Sequence, residues 1–508
     1  MPNVLIAGAG NAAMCAAIRA ASEGASVLVV DAAPIDSRGG NTRHTRNMRI
    51  AHDEGNHILT GPYPVDELLD DLSAVTGPNS NTALARLLAE ESLDMWDWMQ
   101  AQGVRFQPSL EGTLSLGRTN AFFLGGGRAM LNALHRTAAA LGVEVWYDAE
   151  VVGIEIDAAT GRFRSATVRR TSATGSQADR TPDVEINEVE IDEVDTDGVM
   201  TEQVAADAFV AASGGFEANL EWLEESWGPA AKNFLVRGTP YNRGRVLRLL
   251  GDAGVRLIGD PRQCHAVAID GRAPKFDGGI VTRLDCVPFG IVLNAHGERF
   301  HDEGEEFWPK RYAIWGRLVA KQPDQVGHVL IDAKSINEFM PSVFPPEQAD
   351  SIEELAAIIG IDPEAARATV DAFNAACRPG TFDHTVHDDC RTEGIEPPKS
   401  HWARPIDEPP FYAYTLRCGI TFTYLATEVD ETTRMMMADG TRSPNLFAAG
   451  EIMAGNVLDQ GYLAGLGMTI GSVFGRIAGR EAAGQVLGTT ASITDGAAHD
   501  DGGVASAR

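Results

Sequence analysis

Short apolar runs broken by glycine alternate with helical repeats along most of this chain. Val4-Leu5-Ile6-Ala7 is wholly apolar, as a strand buried on both faces would be. Gly8-Ala9-Gly10 interrupts it, and an alanine-rich run from Asn11 reads as a helix. Val27-Leu28-Val29-Val30 is a second buried strand, ending at Asp31. Residues 65–102 have a helical pattern, with apolar positions at Leu84, Leu87, Leu88, Leu93 and Trp96 and with Asn81 as a cap. Gly125-Gly126-Gly127 opens another helix that ends near Gly142, and residues 143–147 follow as a strand. Residues 151–156 and 166–169 predict a small antiparallel piece. Residues 208–212 form a further apolar strand, ending in Ser213-Gly214-Gly215. From about 263 to 419 prolines and aromatics increase, and helices are expected at Ile352–Ile359 and Pro363–Ala376. Residues 445–451 read as a strand and turn, followed by a glycine-rich run to Gly471 and a helix to about Gly484.

The opening is a strand, a glycine turn, a helix and a strand that ends in an acid. Gly8 allows the tight turn, Gly10 lets backbone approach a pyrophosphate, and Ala13 is the small residue where helix meets strand. Asp31 is placed to bind a ribose hydroxyl. A pyrophosphate would meet free N–H groups at the positive end of the helix. Residues 38–49 then hold four arginines (38, 43, 46 and 49) and His44, with no acid. They read either as a basic surface loop or, because they follow the strand ending at Asp31, as part of the site. We take the second reading.

At 508 residues the chain exceeds one compact core. A hydrophobic content of 44% is that of a globular protein, and the first strand begins too early for a secretory signal to precede it. With no apolar run long enough to span a bilayer, we expect a cytoplasmic protein that can still dock on a membrane partner. The six cysteines form no C-x-x-C pair, so free thiols are expected. The net charge of −29 argues against nucleic acid. Much of it is local: residues 172–207 hold eleven acids and one base, Arg180, and read as a solvated hairpin or loop. An acidic protein that binds an anion needs a locally basic pocket. His384 and His387 could suggest a metal, but they lie between Pro379-Gly380 and Pro397-Pro398 and read as a loop, so no metal site is expected.

Four blocks stand in the order found in the fumarate reductase and succinate dehydrogenase flavoproteins, which the chain resembles over almost its whole length. They are Gly8-x-Gly10, Gly39-Gly40-Asn41-Thr42, Ala212-Ser213-Gly214-Gly215-Phe216 and Phe447-Ala448-Ala449-Gly450-Glu451. Residues 38–47, 215–223 and 297–312 further resemble the FAD-dependent tricarballylate dehydrogenases. The resemblance implies an α/β fold, a Rossmann-like FAD-binding domain interrupted by an α+β capping domain. The boundaries expected are 1–262 and 419–485 for the FAD domain, 263–418 for the cap and 486–508 for a disordered tail. It implies cofactor contacts from Gly8, Gly10, Asn11, Ala12, Asp31 and Gly40, and from Asn41, Thr42, Arg46, Gly214, Glu451 and Leu466. Asn41 falls where succinate dehydrogenases carry the histidine joined to FAD, so the FAD is expected to be non-covalent, although His44 lies three residues away.

The superfamily moves two hydrogens across a carbon–carbon bond beside a carboxylate or carbonyl, with hydride passing to or from flavin N5. Arginine suits a carboxylate clamp because its planar fork makes two bonds. By resemblance His265 is a substrate-carboxylate ligand, with a structural role as the alternative. Arg311 is the nearest match to the proton-transferring arginine, with Lys310 or Arg317 as alternatives, while Arg299 reads equally well as structural. Gly419-Ile420-Thr421-Phe422-Thr423 and Tyr462 replace two carboxylate ligands of fumarate reductases, which argues against fumarate; Arg417 can compensate. Tyr462 before a glycine run also resembles 3-ketosteroid dehydrogenases. The leading expectation is oxidation of a di- or tricarboxylate, tricarballylate to cis-aconitate, with electrons passed to a membrane iron–sulfur partner. The alternatives are a 3-ketosteroid-type dehydrogenase, an enoate reductase and a flavin protein without catalysis.

Overall fold

The computed structural model describes residues 1–109, 116–171, 191–194 and 199–489. Strands β1 (Val4–Ala7) and β2 (Val27–Val30) lie parallel and are joined by helix α1 (Asn11–Ser22). β3 (Glu144–Trp146) extends the sheet beyond β2, and β4 (Ala208–Ala211) pairs with β1 on its other side. Every residue of β1 and β4 is buried, which is why these runs show no polar alternation.

A second sheet holds β5 (Cys264–Asp270) and the long β6 (Phe411–Thr423). β6 is its spine. β5, Gly327–Ile331 and Glu347–Ala349 pair with it antiparallel, and Leu235–Val236 pairs with it parallel. The short helix α2 (Trp308–Arg311) belongs to this half. Helices Ile352–Ile359 and Pro363–Ala376 fall where the periodicity places them. β6 runs unbroken through 418–419, where the sequence reading divides the chain, and Leu235–Val236 joins it from upstream of 263. Because paired strands cannot be shared out between separate units, we propose that the inserted unit reaches from 235 to 423.

β7 (Arg434–Met436) and β8 (Arg442–Ala448) return to the first sheet, whose order is β7-β8-β4-β1-β2-β3. All of its neighbours are parallel except β7 and β8. The order reverses at β1, so a crevice opens beyond the carboxyl ends of β1 and β4, where open α/β sheets take their ligands. Helix α3 (Leu466–Leu487) crosses α1 at very short range, and it ends three residues beyond the expected Gly484. A Cβ on Gly475 would stand 2.5 Å from the Ala12 carbonyl oxygen, and one on Gly479 2.3 Å from that of Ala16.

Ala149–Asp157, Arg162–Thr171, Ile191–Val194 and Val199–Ala205 make a separate antiparallel sheet. The ends of the acidic insert are therefore strands, while 172–190 and 195–198 lie outside the described residues, as does the tail from 490. All six cysteines are unpaired. Among the described residues no helix is long and apolar enough to cross a membrane. His384 stacks on Phe382, whereas His387 stacks on Phe307 and His401 and pairs with Glu306.

Candidate functional site: a cleft between the two sheets

The crevice at β1 and β4 continues into a cleft of about 1090 Å³, partly open to solvent and lined by residues of both sheets. At one end Gly8 leaves β1 with φ +104°, and a Cβ there would meet the Ala212 carbonyl oxygen at 2.3 Å. Only glycine fits that turn. α1 then starts at Asn11 with no side-chain cap from Gly10; the Asn11 N–H donates to Thr42 Oγ1 at 3.0 Å, and Ala12, next in the first turn, lines the cleft. Asp31 sits on the same wall, with Oδ2 shielded from water and without a partner. Burial raises its carboxyl from 3.8 to about 6 against the opposing N–H groups of Ala33 and Gly39. An uncapped helix start beside an orphaned acid fits a pyrophosphate and a ribose, the two polar groups of a dinucleotide.

Gly8, Gly10, Ala12, Gly40, Asn41, Thr42, Arg46, Gly214 and Glu451 also line the cleft. Two of the expected contacts are placed differently. Asn11 borders the cleft, but its side-chain amide donates to the Met468 carbonyl and to Ser472 Oγ, so it ties α1 to α3. Leu466 lies in the core with its N–H given to the Leu463 carbonyl, and its neighbours Gly465 and Gly467 form the wall. The amide of Asn41 is fully engaged. Nδ2 donates to Glu217 Oε1 and to the Thr421 carbonyl, both at 2.6 Å, and Oδ1 accepts from the Thr239 N–H at 2.9 Å. His44 Nε2 lies 2.6 Å from Asp277 Oδ1, a link between the two halves, and burial lowers its pKa.

The other end of the cleft is cationic and aromatic. A register shift in β5 between His265 and Ala266 accompanies the placement of His265 on the wall. It stacks on Tyr462, with centroids 4.0 Å apart, and meets Tyr312 edge-on at 5.3 Å. His265 is 3% exposed and its Nε2 has no partner; burial, aided by Arg237 and Arg283, holds the ring neutral. Tyr462 accepts the Gly467 N–H on its phenol oxygen at 2.8 Å, and burial raises its pKa.

Three arginines face this end: Arg46, Arg237 and Arg283. Arg237 is only 6% exposed, yet its Nε and Nη1 have no partner, and the same holds for Nε and Nη2 of Arg46. Burial pushes Arg237 down to about 10 and Arg46 to about 9, the latter helped by Arg283. Arg283 is compensated by Asp285, which lies 2.7 Å away and also accepts from Trp308 Nε1. Its guanidinium stands 4.8 Å over the Tyr312 ring. Burial raises the Tyr312 phenol, while Arg283, Arg237 and Arg46 all pull it down. Buried donors without partners are expensive, so this end is built to receive an anion.

The structure brings His265 and Tyr462 to this site but not the other expected catalytic groups. Arg311 pairs with Glu305, Nη2 to Oε2 at 3.2 Å, and Lys310 lies 2.6 Å from Asp71. Arg317 bonds Gln263 and the Gln460 carbonyl, and Arg417 bonds the carbonyls of Asp324 and Gln325. None of the four lines the cleft. Sequence reading overlooked Arg237, Arg283 and Tyr312. Tyr312 directly follows Arg311, and adjacent helical residues point about 100° apart, so a shift of one residue changes which side chain enters the site.

The sequence profile of a family described as an FAD binding domain matches residues 3–465. The fumarate reductase (cytochrome) of Shewanella frigidimarina is 26% identical over 492 residues, covering 95% of this chain and 77% of that one. The open conformation of a flavocytochrome c3 fumarate reductase has a similar fold, with a TM-score of 0.69 at 20% identity over 96% of this chain and 78% of that one. So does the 3-ketosteroid-delta4-(5alpha)-dehydrogenase of Rhodococcus jostii RHA1 in complex with 4-androstene-3,17-dione. Its TM-score is 0.67 at 21% identity, over 95% of this chain and 96% of that one.

Proposed function

This chain belongs to the FAD binding domain family and is an FAD-dependent oxidoreductase of the fumarate reductase group, and on that premise we propose that it dehydrogenates a carbon–carbon bond beside a carboxylate, with non-covalent FAD. The observation that carries the reading is the set of buried guanidinium nitrogens without a partner, Nε and Nη2 of Arg46 and Nε and Nη1 of Arg237, with only a Met340 Sδ contact at 3.3 Å for Arg46 Nη1. FAD, when bound, supplies the hydride acceptor. Arg237 and Arg46 bind the substrate carboxylates and fix the C–H to be broken, since positioning is a large part of the rate gain. Tyr312 acts as the base in its phenolate form: the phenol first releases its proton to water through the partly open cleft, the guanidiniums around it stabilise the phenolate, and the phenolate then takes the proton from the neighbouring carbon. Neutral His265 and the Tyr462 hydroxyl complete the hydrogen bonding to the substrate. Tyr312 replaces Arg311 as the proton-transferring group because Arg311 is held by Glu305 off the wall.

Tricarballylate, oxidised to cis-aconitate, is the specific substrate proposed, and an iron–sulfur protein at a membrane the electron acceptor. The tyrosine pair and Phe422 support a second reading, a dehydrogenase acting beside a ketone. Arg311, Lys310 and Arg317 all lie off the wall, which would favour a non-catalytic flavin protein if the cleft held no other cations. Arg46, Arg237 and Arg283 supply them.

The test is anaerobic mixing of oxidised holoprotein with tricarballylate, succinate or a 3-ketosteroid, following the flavin band near ~450 nm. Bleaching by tricarballylate is expected, with kcat/KM reduced ~10²–10³-fold in Arg237→Leu, the range for losing one preorganised donor. Bleaching by the steroid alone would overturn the carboxylate reading.

A further inference from the structure

At the cleft wall stands a pair of carboxyl groups that the proposed chemistry does not use, Glu451 lining the cleft and Glu217 behind it. Glu217 follows β4 and is fully buried, while Glu451 follows β8 and is 8% exposed. Glu217 Oε1 accepts from Asn41 Nδ2 at 2.6 Å and from Asn242 Nδ2 at 2.8 Å. Glu451 Oε1 accepts from the Thr423 N–H at 2.8 Å and from its hydroxyl at 3.3 Å. The two groups converge over Gly215, where a Cβ would stand 2.2 Å from Glu451 Oε1 and 2.8 Å from Glu217 Oε2. Glu217 Oε2 is shielded from water, and no protein donor reaches it. Among the described residues neither carboxylate makes an ion pair. The group facing that oxygen is another acceptor, so the missing donor is a proton.

We propose that Glu217 and Glu451 share one proton, and that this proton fastens two walls of the FAD cleft so that retention of FAD depends on pH through the pair. Glu217 holds Asn41 and Asn242, and Glu451 holds Thr423 at the end of β6. All of Asn41, Asn242, Thr421 and Glu451 line the cleft. Two buried carboxylates this close cannot both ionise without repulsion. Burial raises both groups above the usual carboxylate range, and Glu217 raises Glu451 further. The titratable groups facing them are Tyr462 and, on β5, Cys264, both kept neutral by burial. Loss of the shared proton leaves two charges with no cation to offset them. The carboxyls then part and draw Asn41 away from Thr421. The inference concerns cofactor retention alone and does not depend on which substrate is oxidised.

FAD release from holoprotein, read as recovery of free-flavin fluorescence on dilution between pH 6 and 10, tests this. The dissociation constant of the wild type should rise about tenfold per pH unit once the shared proton is lost, the slope for one linked proton. Glu217→Gln keeps an acceptor for Asn41 and Asn242 and gives Glu451 a permanent donor, so its curve should be flat over that range. A flat wild-type curve, an unchanged slope in Glu217→Gln, or release only where far-UV circular dichroism is also lost would each overturn the proposal. Infrared spectroscopy of the wild type needs no variant. A protonated-carboxyl C=O band should persist above the pH at which ordinary carboxyls ionise and fade over the pH range of FAD release; its loss with the ordinary carboxyls, or its fading apart from FAD release, would overturn the proposal as well.

Discussion

Arg311 and Tyr312 are neighbours in sequence with opposite surroundings. One guanidinium is satisfied by Glu305 at the edge of the fold, while the phenol beside it is buried among three arginines. Tyr312→Phe should therefore lose ~10²–10⁴-fold in kcat, the usual contribution of a general acid or base, with ligand affinity little changed. Arg311→Ala should stay within about threefold of wild type, because a partly exposed ion pair contributes little. Steady-state kinetics on both variants decides, and the reverse ranking would return the proton-transfer role to Arg311. Asp31 shows a different conflict, between stability and binding. Its folded carboxyl is protonated below about 6 and the unfolded one below about 3.8. It therefore favours folding at acid pH, and that contribution is lost as pH rises through 6. At neutral pH the ionised group costs the FAD-free protein up to about 3 kcal/mol, less where cleft water reaches it. Asp31→Asn should raise the stability of the FAD-free protein against urea at pH 8 but not at pH 4, while weakening FAD binding ~10–100-fold. Equal effects on stability at the two pH values would contradict this account.

At the scale of elements, the crossing of α1 and α3 sets the floor of the site. Gly471, Gly475 and Gly479 stand one turn apart on α3 and lie against the backbone of α1, and Asn11 bonds across the crossing. That contact fixes where the uncapped start of α1 points. Gly479→Val would press its side chain into the Ala16 carbonyl and should cost about 3 kcal/mol or more, with faster FAD release. Gly488→Ala, at the helix end with nothing within 4 Å of the added carbon, should cost only about 1 kcal/mol. Thermal melts of both variants, with and without FAD, would test the difference; equal losses would show that the crossing has room to spare. The elements themselves were largely legible. Buried strands such as β1 and β4 carry unbroken apolar runs, and the Asn81 cap and the helices at 352–359 and 363–376 stand as read. β6 was not legible as one strand, because Gly419 in its middle reads as a break while three partner strands and the Leu235–Val236 pairing hold it together.

For the molecule as a whole, the sequence by itself determined the strand, glycine turn and helix start that open the chain. Gly8, Gly10 and Asp31 answer local demands, a turn only glycine can make, a helix start and an acid at the end of a strand, and each leaves a mark within a few residues of itself. Gly214 and Glu451 were expected through the family resemblance, and the fold sets them on the same cleft. The tertiary structure alone decided the cationic end of the cleft. Arg46, Arg237, Arg283, His265, Tyr312 and Tyr462 come from six separate places in the chain and meet only because two sheets close over one cleft. No spacing records such a meeting, and an arginine with a partner, like Arg311, is indistinguishable in sequence from one without, like Arg237. What separates them is burial and the absence of a counter-charge, and both belong to the folded molecule.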